Sequence, residues 1–142
     1  MVHALNEIHR VLVQSGSLID LRPLLDRWPI EVTSNSENRA AGRATDLSEP
    51  LADDEAANQA MAEAELRGWF LRERQDVFPF FYYWDSPKEM QEYIDETWND
   101  VISIEDDLWS GLRALWTTAN ADARVRIRLK MMITSLLKQN LS

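Results

Sequence analysis

Apolar positions along this 142-residue chain recur with two periods, and each period predicts an element. Leu5, Ile8 and Leu12 share one helical face with Val11 beside them, so residues 2–14 predict an amphipathic helix. Gly16 supplies its stop, since glycine tolerates the left-handed conformation that a helix end often requires. Residues 17–22, Ser-Leu-Ile-Asp-Leu-Arg, predict a short strand ended by Pro23. Ile30–Thr33 and Ala41–Thr45 flank the turn-forming segment Ser34-Asn-Ser-Glu-Asn38 and predict a hairpin. Residues 53–67 are dominated by Ala, Glu, Gln and Met and predict a helix. It carries acids in its first turn, small Ala57, Ala60 and Ala64 at helical spacing, and an end at Arg67-Gly68.

Residues 69–84 hold eight aromatics and predict a half-buried strand, placed at an edge or bulged because Pro79 interrupts it. Ser86-Pro-Lys-Glu89 is a helix start: Ser86 caps, Pro87 takes the first helical position and Glu89 completes a capping box. Met90, Tyr93, Ile94 and Trp98 line its face, and Leu108, Trp109, Leu112, Leu115 and Trp116 line that of a further helix over 104–118. Residues 124–133 alternate. Arg124, Arg126, Arg128 and Lys130 point one way, and Val125, Ile127, Leu129, Met131 and Ile133 the other, toward the core.

Helix, glycine turn and strand at the start, followed by this mixture, predict one domain over 1–142, α/β or α+β. About three main strands and a possible hairpin pack with four helices. The apolar fraction of 45% is ordinary for a globular chain and bounds the core without indicating a function. Zero cysteines exclude disulfides, a thiolate nucleophile and Cys-based metal sites. His3 and His9 lie about 120° apart around a helix and do not pair on one metal; both are expected to be partly exposed. No apolar run approaches the roughly 20 residues of a membrane span, and no basic start precedes an apolar core, so a cytoplasmic location is expected.

The net charge of −9 sharpens this picture because it is unevenly spread. Residues 44–66 hold seven acids and no base, and residues 85–108 hold nine acids and one base. Residues 109–142 hold six bases and one acid. The acidic blocks exclude nucleic acid as the main partner, since a phosphate backbone demands a basic face. The basic row on the last strand is expected to pair with carboxylates, and two acidic helices lie near it in sequence.

Certain segments resemble a known family. Glu7-Ile-His-Arg-Val-Leu12 followed by Gly16-Ser-Leu-Ile-Asp20 resembles the helix and fifth strand of class I S-adenosylmethionine-dependent methyltransferases, where Glu-x-x-Arg-Val-Leu-Lys-Pro-Gly-Gly is frequent. Gly68-Trp-Phe70 resembles the Gly-Phe that opens the sixth strand. The Ser-Pro-Lys-Glu helix resembles an insertion before the last strand, and residues 124–135, running into Leu136-Leu137-Lys138, resemble the seventh. The resemblance implies a partial Rossmann-like sheet with the last strand antiparallel between the first and the aromatic strand. It covers the C-terminal half of the family domain only.

The half that carries the cofactor is absent from this sequence. Glycines at 16, 42, 68 and 111 make no Gly-rich loop, and the Lys-Pro-Gly-Gly turn is altered to Gln14-Ser15-Gly16-Ser17. The resemblance therefore implies no cofactor-binding residue here, no catalysis by the isolated chain, and S-adenosylmethionine only after completion by a partner. A truncated gene product or a remnant fits the same pattern. The 17–22 strand lacks its usual neighbour, which implies a homodimer or a separately encoded N-terminal half.

No catalytic residue and no metal ligand is assigned. Candidates for a substrate or partner surface are Asp20, Arg22, Phe81, Tyr83 and Trp109. Asp20 sits mid-strand between apolar residues, where a carboxylate can be buried as part of a site or paired with Arg22 or an arginine of the last strand. Phe81 and Tyr83 form an exposed aromatic patch if their face is wet, although packing is the more frequent role. A different class is a small α+β ligand-binding or interaction module, with a pocket between helix 104–118 and the sheet lined by Trp98, Trp109 and Trp116. Carboxylate enzyme chemistry has no support beyond the abundance of acids.

Overall fold

A computed structural model describes residues 1–140. The chain runs α1 (Val2–Val11), β1 (Ser17–Leu24), β2 (Pro29–Thr33), β3 (Asn38–Arg43), β4 (Thr45–Asp46), α2 (Ser48–Leu66) and β5 (Phe70–Trp84). Then follow α3 (Pro87–Tyr93), a π-helical turn (Ile94–Trp98), β6 (Ile102–Ser103), α4 (Asp106–Thr117) and β7 (Arg124–Lys138). Four α-helices and an antiparallel sheet of β1, β2, β3, β5 and β7 make an α+β fold. The three main strands and the hairpin expected from sequence are all in that sheet. The pair β4–β6 is an addition that two-residue strands do not announce in sequence.

Contacts divide the chain into two compact units. The first holds residues 1–24, 52–78 and 131 onward; the second holds residues 25–51 and 79–130.

In the first unit β7 is flanked on both edges. Lys138 N donates to Gly16 O at 2.9 Å, and the next residue, Gln139, donates to Trp69 O at 2.9 Å. Successive amides of an extended chain point to opposite sides, so the neighbours of β1 and β5 lie on opposite edges of β7. Glu73 meets Ser135 while Trp69 meets Gln139, so numbers rise on β5 as they fall on β7. Ala60, Met61 and Ala64 of α2 pack with Leu5, Trp69, Phe70 and Leu136. The alanines allow close approach, and fully burying Leu136 contributes about 2 kcal/mol.

The end of α2 follows the sequence. Gly68 has φ 73°, Gly68 N donates to Glu65 O and Trp69 N donates to Ala64 O, which is a Schellman closure. The start of α2 is earlier than residue 53, because Ser48-Glu-Pro already turns helical. Helix α1 stops at Val11, not at residue 14, as Leu12 is extended. The left-handed residue there is Ser15, with φ 61°, and not Gly16. Gly16 is still required, since a Cβ on it would lie 2.9 Å from Val13 O. Strand β1 continues through Pro23 to Leu24. A proline fits where its missing N–H faces no partner, and among the described residues β1 pairs with β7 alone.

In the second unit β2 and β3 form a hairpin closed by Ser34 N donating to Glu37 O, but its second strand is Asn38–Arg43 and not 41–45, because the tighter turn lets Asn38 pair with Thr33. β2 then pairs with β7, placing Ile30 against Ile127 and Val32 against Val125. All four are almost fully buried. Ser86 Oγ accepts from Glu89 N, and Glu89 Oε2 reaches back to Asp85 N, so the capping box forms one residue early. Helix α4 is shorter than 104–118, with Glu105 at its cap.

Two expectations about faces are corrected. On β7 the buried residues are Val125, Ile127 and Leu129, then Met132, Thr134 and Leu136. Met131 and Ile133 are only half-buried. The buried parity changes from odd to even because α1 and α2 of the first unit cover the even face. On β5 the expected half-burial is absent between Leu71 and Phe80, which are all exposed. β5 pairs with β7 alone among the described strands, so it is an edge.

Candidate functional site

The alternation of β1 turns Asp20 and Arg22 to the same side, toward α2 in the first unit. Arg22 Nε donates to Asp20 Oδ2 at 3.0 Å, and its Nη2 donates to Asn58 Oδ1 of α2 at 2.7 Å. Its Nη1 is buried and has no hydrogen-bond partner among the described residues. With 17% of its side chain exposed, Arg22 is a nearly desolvated guanidinium with one nitrogen idle. Guanidinium groups stay protonated in proteins, so that donor is permanent.

Arg22 and Asp20 line a cavity of about 150 Å³, together with Asn58, Met61, Arg72, Gln75, Met132 and Thr134. Arg72 donates to Glu65 through Nε and Nη2, and to Gln75 Oε1 through Nη1 at 3.2 Å. Gln75 Nε2 then reaches Thr134 Oγ1 at 3.1 Å and Met132 Sδ at 3.0 Å. Arg72 and Gln75 are three residues apart, yet both line the cavity. Strict alternation would separate them, and one extra residue, as in a β-bulge, brings them to one face.

An apolar groove of about 300 Å³ adjoins the cavity. Leu5 and Ile8 of α1, Leu18 of β1 and Ala57 of α2 line it, and Asp20, Arg22 and Met61 are shared with the cavity.

A second cluster lies in the second unit. Arg126 and Arg128 donate to the two oxygens of Glu31, at 3.0 and 2.6 Å. Arg124 pairs with Asp85 at 3.3 Å and Lys130 with Asp26 at 3.2 Å. The basic row is thus paired with carboxylates, as expected. Only Asp85 comes from the acidic blocks; Glu31 and Asp26 come from the charge-balanced N-terminal stretch, brought near by the β2–β7 ladder. Burial opposes the charge on Arg126, but hydrogen bonds to Tyr83 and Glu31 outweigh it and hold the guanidinium above its ordinary pKa. Phe81 lies 4.6 Å from the Arg126 guanidinium, and Tyr83 lies 4.8 Å from that of Arg124. These two candidates therefore cover paired arginines, with Phe81 half-buried and Tyr83 exposed.

Trp109 is not on a surface: it is buried in α4. Trp98 belongs to an aromatic cluster with Trp28, Tyr82, Trp84 and Tyr93, with centroids 4.9 to 6.1 Å apart. His9 is likewise buried, against expectation. Its Nε2 meets Gln139 O at 2.8 Å, and its ring packs edge-on against Phe70. Among the described residues no group of three His, Cys, Asp or Glu side chains is placed to hold a metal, and no helix is long and apolar enough to cross a membrane.

Of the five candidates, the cavity joins Asp20 and Arg22 only. Its other lining residues escaped sequence reasoning. One signal was available: Thr134 and Ser135 are polar residues set between the apolar Met131-Met132-Ile133 run and Leu136-Leu137. No protein-family model matches the chain, and no curated protein or solved structure matches it.

Proposed function

We propose that residues 1–142 act as the substrate-side half of a methyltransferase-like fold, with the methyl donor held by a partner polypeptide. The observation that carries this reading is β7, antiparallel to β5 and flanked by β1 and β5 on its two edges. That is the order the sequence resemblance implies, and a continuous meander would have opposed it. Further support comes from β1. It pairs with β7 alone among the described strands, and Ile19 and Leu21 are 54% and 55% exposed on it. A strand with an open edge and bare apolar side chains is suited to take a further neighbour. In this reading Asp20 and Arg22 contribute to the acceptor side of the site, and the chain alone holds no methyl donor.

Calorimetric titration with S-adenosylmethionine tests the reading. The chain alone is expected to give no binding, and the chain expressed together with the polypeptide encoded next to it is expected to bind. Tight binding by the chain alone overturns the proposal. Sedimentation of the purified chain separates this partner from a homodimer formed through β1.

One observation favours a small ligand-binding module as a second reading. The Arg22 cavity and its apolar groove are both built within one unit, from α1, β1, α2, β5 and β7, and need no partner to be complete.

A further inference from the structure

We propose that the Arg22 cavity and its groove bind a monocarboxylic acid with an unbranched alkyl chain, the carboxylate at Arg22 and the chain between α1 and α2. This stands under either functional reading, since the ligand need not be a methyl acceptor.

Three observations specify the ligand. The first is the idle donor. Arg22 is fixed by Asp20 and Asn58 through Nε and Nη2, which leaves Nη1 oriented and unbonded. A fixed guanidinium edge suits the planar pair of carboxylate oxygens, and the bond gains strength from being charged. The second is Gln75. One of its amide bonds goes to Met132 Sδ, a weak acceptor that an oxyanion readily replaces. Arg22 and Gln75 can thus converge on one anion. Arg72 is already paired with Glu65 and Arg22 with Asp20, so the ligand's oxyanion is met by the unbonded Nη1 of Arg22 and by Gln75.

The third is the groove. It is lined by Leu5, Ile8, Leu18 and Ala57, and it shares Asp20, Arg22 and Met61 with the cavity. A ligand that anchors its charge at Arg22 therefore meets an apolar channel next to it. Burying methylene groups there adds affinity in proportion to chain length. Inorganic phosphate satisfies the donor but not the groove, and an alcohol satisfies the groove but brings no charge.

Calorimetric titration of the full chain with octanoate, 1-octanol, acetate and inorganic phosphate tests the proposal. Octanoate is expected to bind one per chain, at least about tenfold more tightly than octanol or acetate. In Arg22→Gln the preference for octanoate over octanol is expected to vanish. Ala57→Phe, at a half-buried position in the groove wall, is expected to weaken octanoate while leaving acetate unchanged, and it keeps the test valid if Arg22→Gln does not fold. Methyl resonances of Met61 and Met132 should shift on titration. No binding of octanoate, equal binding of octanol, phosphate as the best ligand, or shifts confined to other methyls each overturns it. None of these outcomes bears on S-adenosylmethionine titration, so the two proposals fail separately.

Discussion

Glu31 on β2 stands opposite Arg126 on β7 and accepts its Nη2–H at 3.0 Å, while its other oxygen takes Arg128 at 2.6 Å. Glu31 is 5% exposed, so one buried carboxylate holds two guanidiniums. Removing it leaves the largely buried Arg126 without a carboxylate, with only Tyr83 to accept from it. Glu31→Ala is expected to lower stability by about 3 kcal/mol in urea unfolding. Glu31→Ala combined with Arg126→Met should recover part of that loss, because the stranded charge is gone. Equal loss in the single and double variants would show that the pair contributes nothing beyond packing.

The pH dependence of the Arg126 contribution has a definite sign. The folded-state pKa of Arg126 is raised. Its contribution is fully present below the ordinary arginine value and is lost only as pH rises through the higher folded value. Arg126 therefore adds no slope to stability between about pH 6 and about pH 10. Unfolding of Arg126→Met and the parent across that window should give a constant difference.

The change of buried parity on β7 predicts an inversion of the simple pattern. Leu136→Ala should cost about 3 kcal/mol, since Leu136 is fully buried under α1 and α2. Ile133→Ala, on the half-buried face, should cost about 1 kcal/mol or less. If odd positions remained the core face throughout, the order of the two would reverse in urea unfolding.

The two glycines with positive φ should differ in their response to alanine. At Gly68, φ is 73° and a Cβ meets nothing within 4 Å, so Gly68→Ala costs backbone strain alone, about 1 kcal/mol. At Gly42, φ is 148° and a Cβ would lie 3.0 Å from Leu108 Cδ1, so crowding adds to strain. Gly42→Ala should cost about 2 kcal/mol or more by thermal unfolding.

Ser86→Ala should remove one bond at the start of α3, from Glu89 N, for about 1 kcal/mol. Ser86→Asp should retain most of it. A full loss in both variants would show that Pro87 and the packing of Met90 hold the turn without the cap.

Much of the fold was legible in local pattern. The four helices, the hairpin about Ser34–Asn38 and the alternating last strand follow from propensity, caps and period, which act over a few residues. The pairing of Asp20 with Arg22 was legible as well, since two residues apart on a strand means one face. The rest of the cavity was not. Asn58, Arg72, Gln75 and Thr134 come from three elements, and only the sheet register and the change of phase along β5 bring them together. His9 and Trp109 look like surface or patch residues in sequence because nothing local shows what covers them.

The sequence by itself determined the types of the long elements, the helix ends at Gly68 and Ser86 and the charge pattern, because these are set by neighbours within about a turn or two residues. The tertiary structure alone decided which face of each strand is covered, and which carboxylate meets each arginine. It also left Arg22 Nη1 buried and without a hydrogen-bond partner among the described residues, in a side chain that lines an apolar groove. Burial and pairing depend on groups far apart in sequence, and Arg126 finds Glu31 across 95 residues.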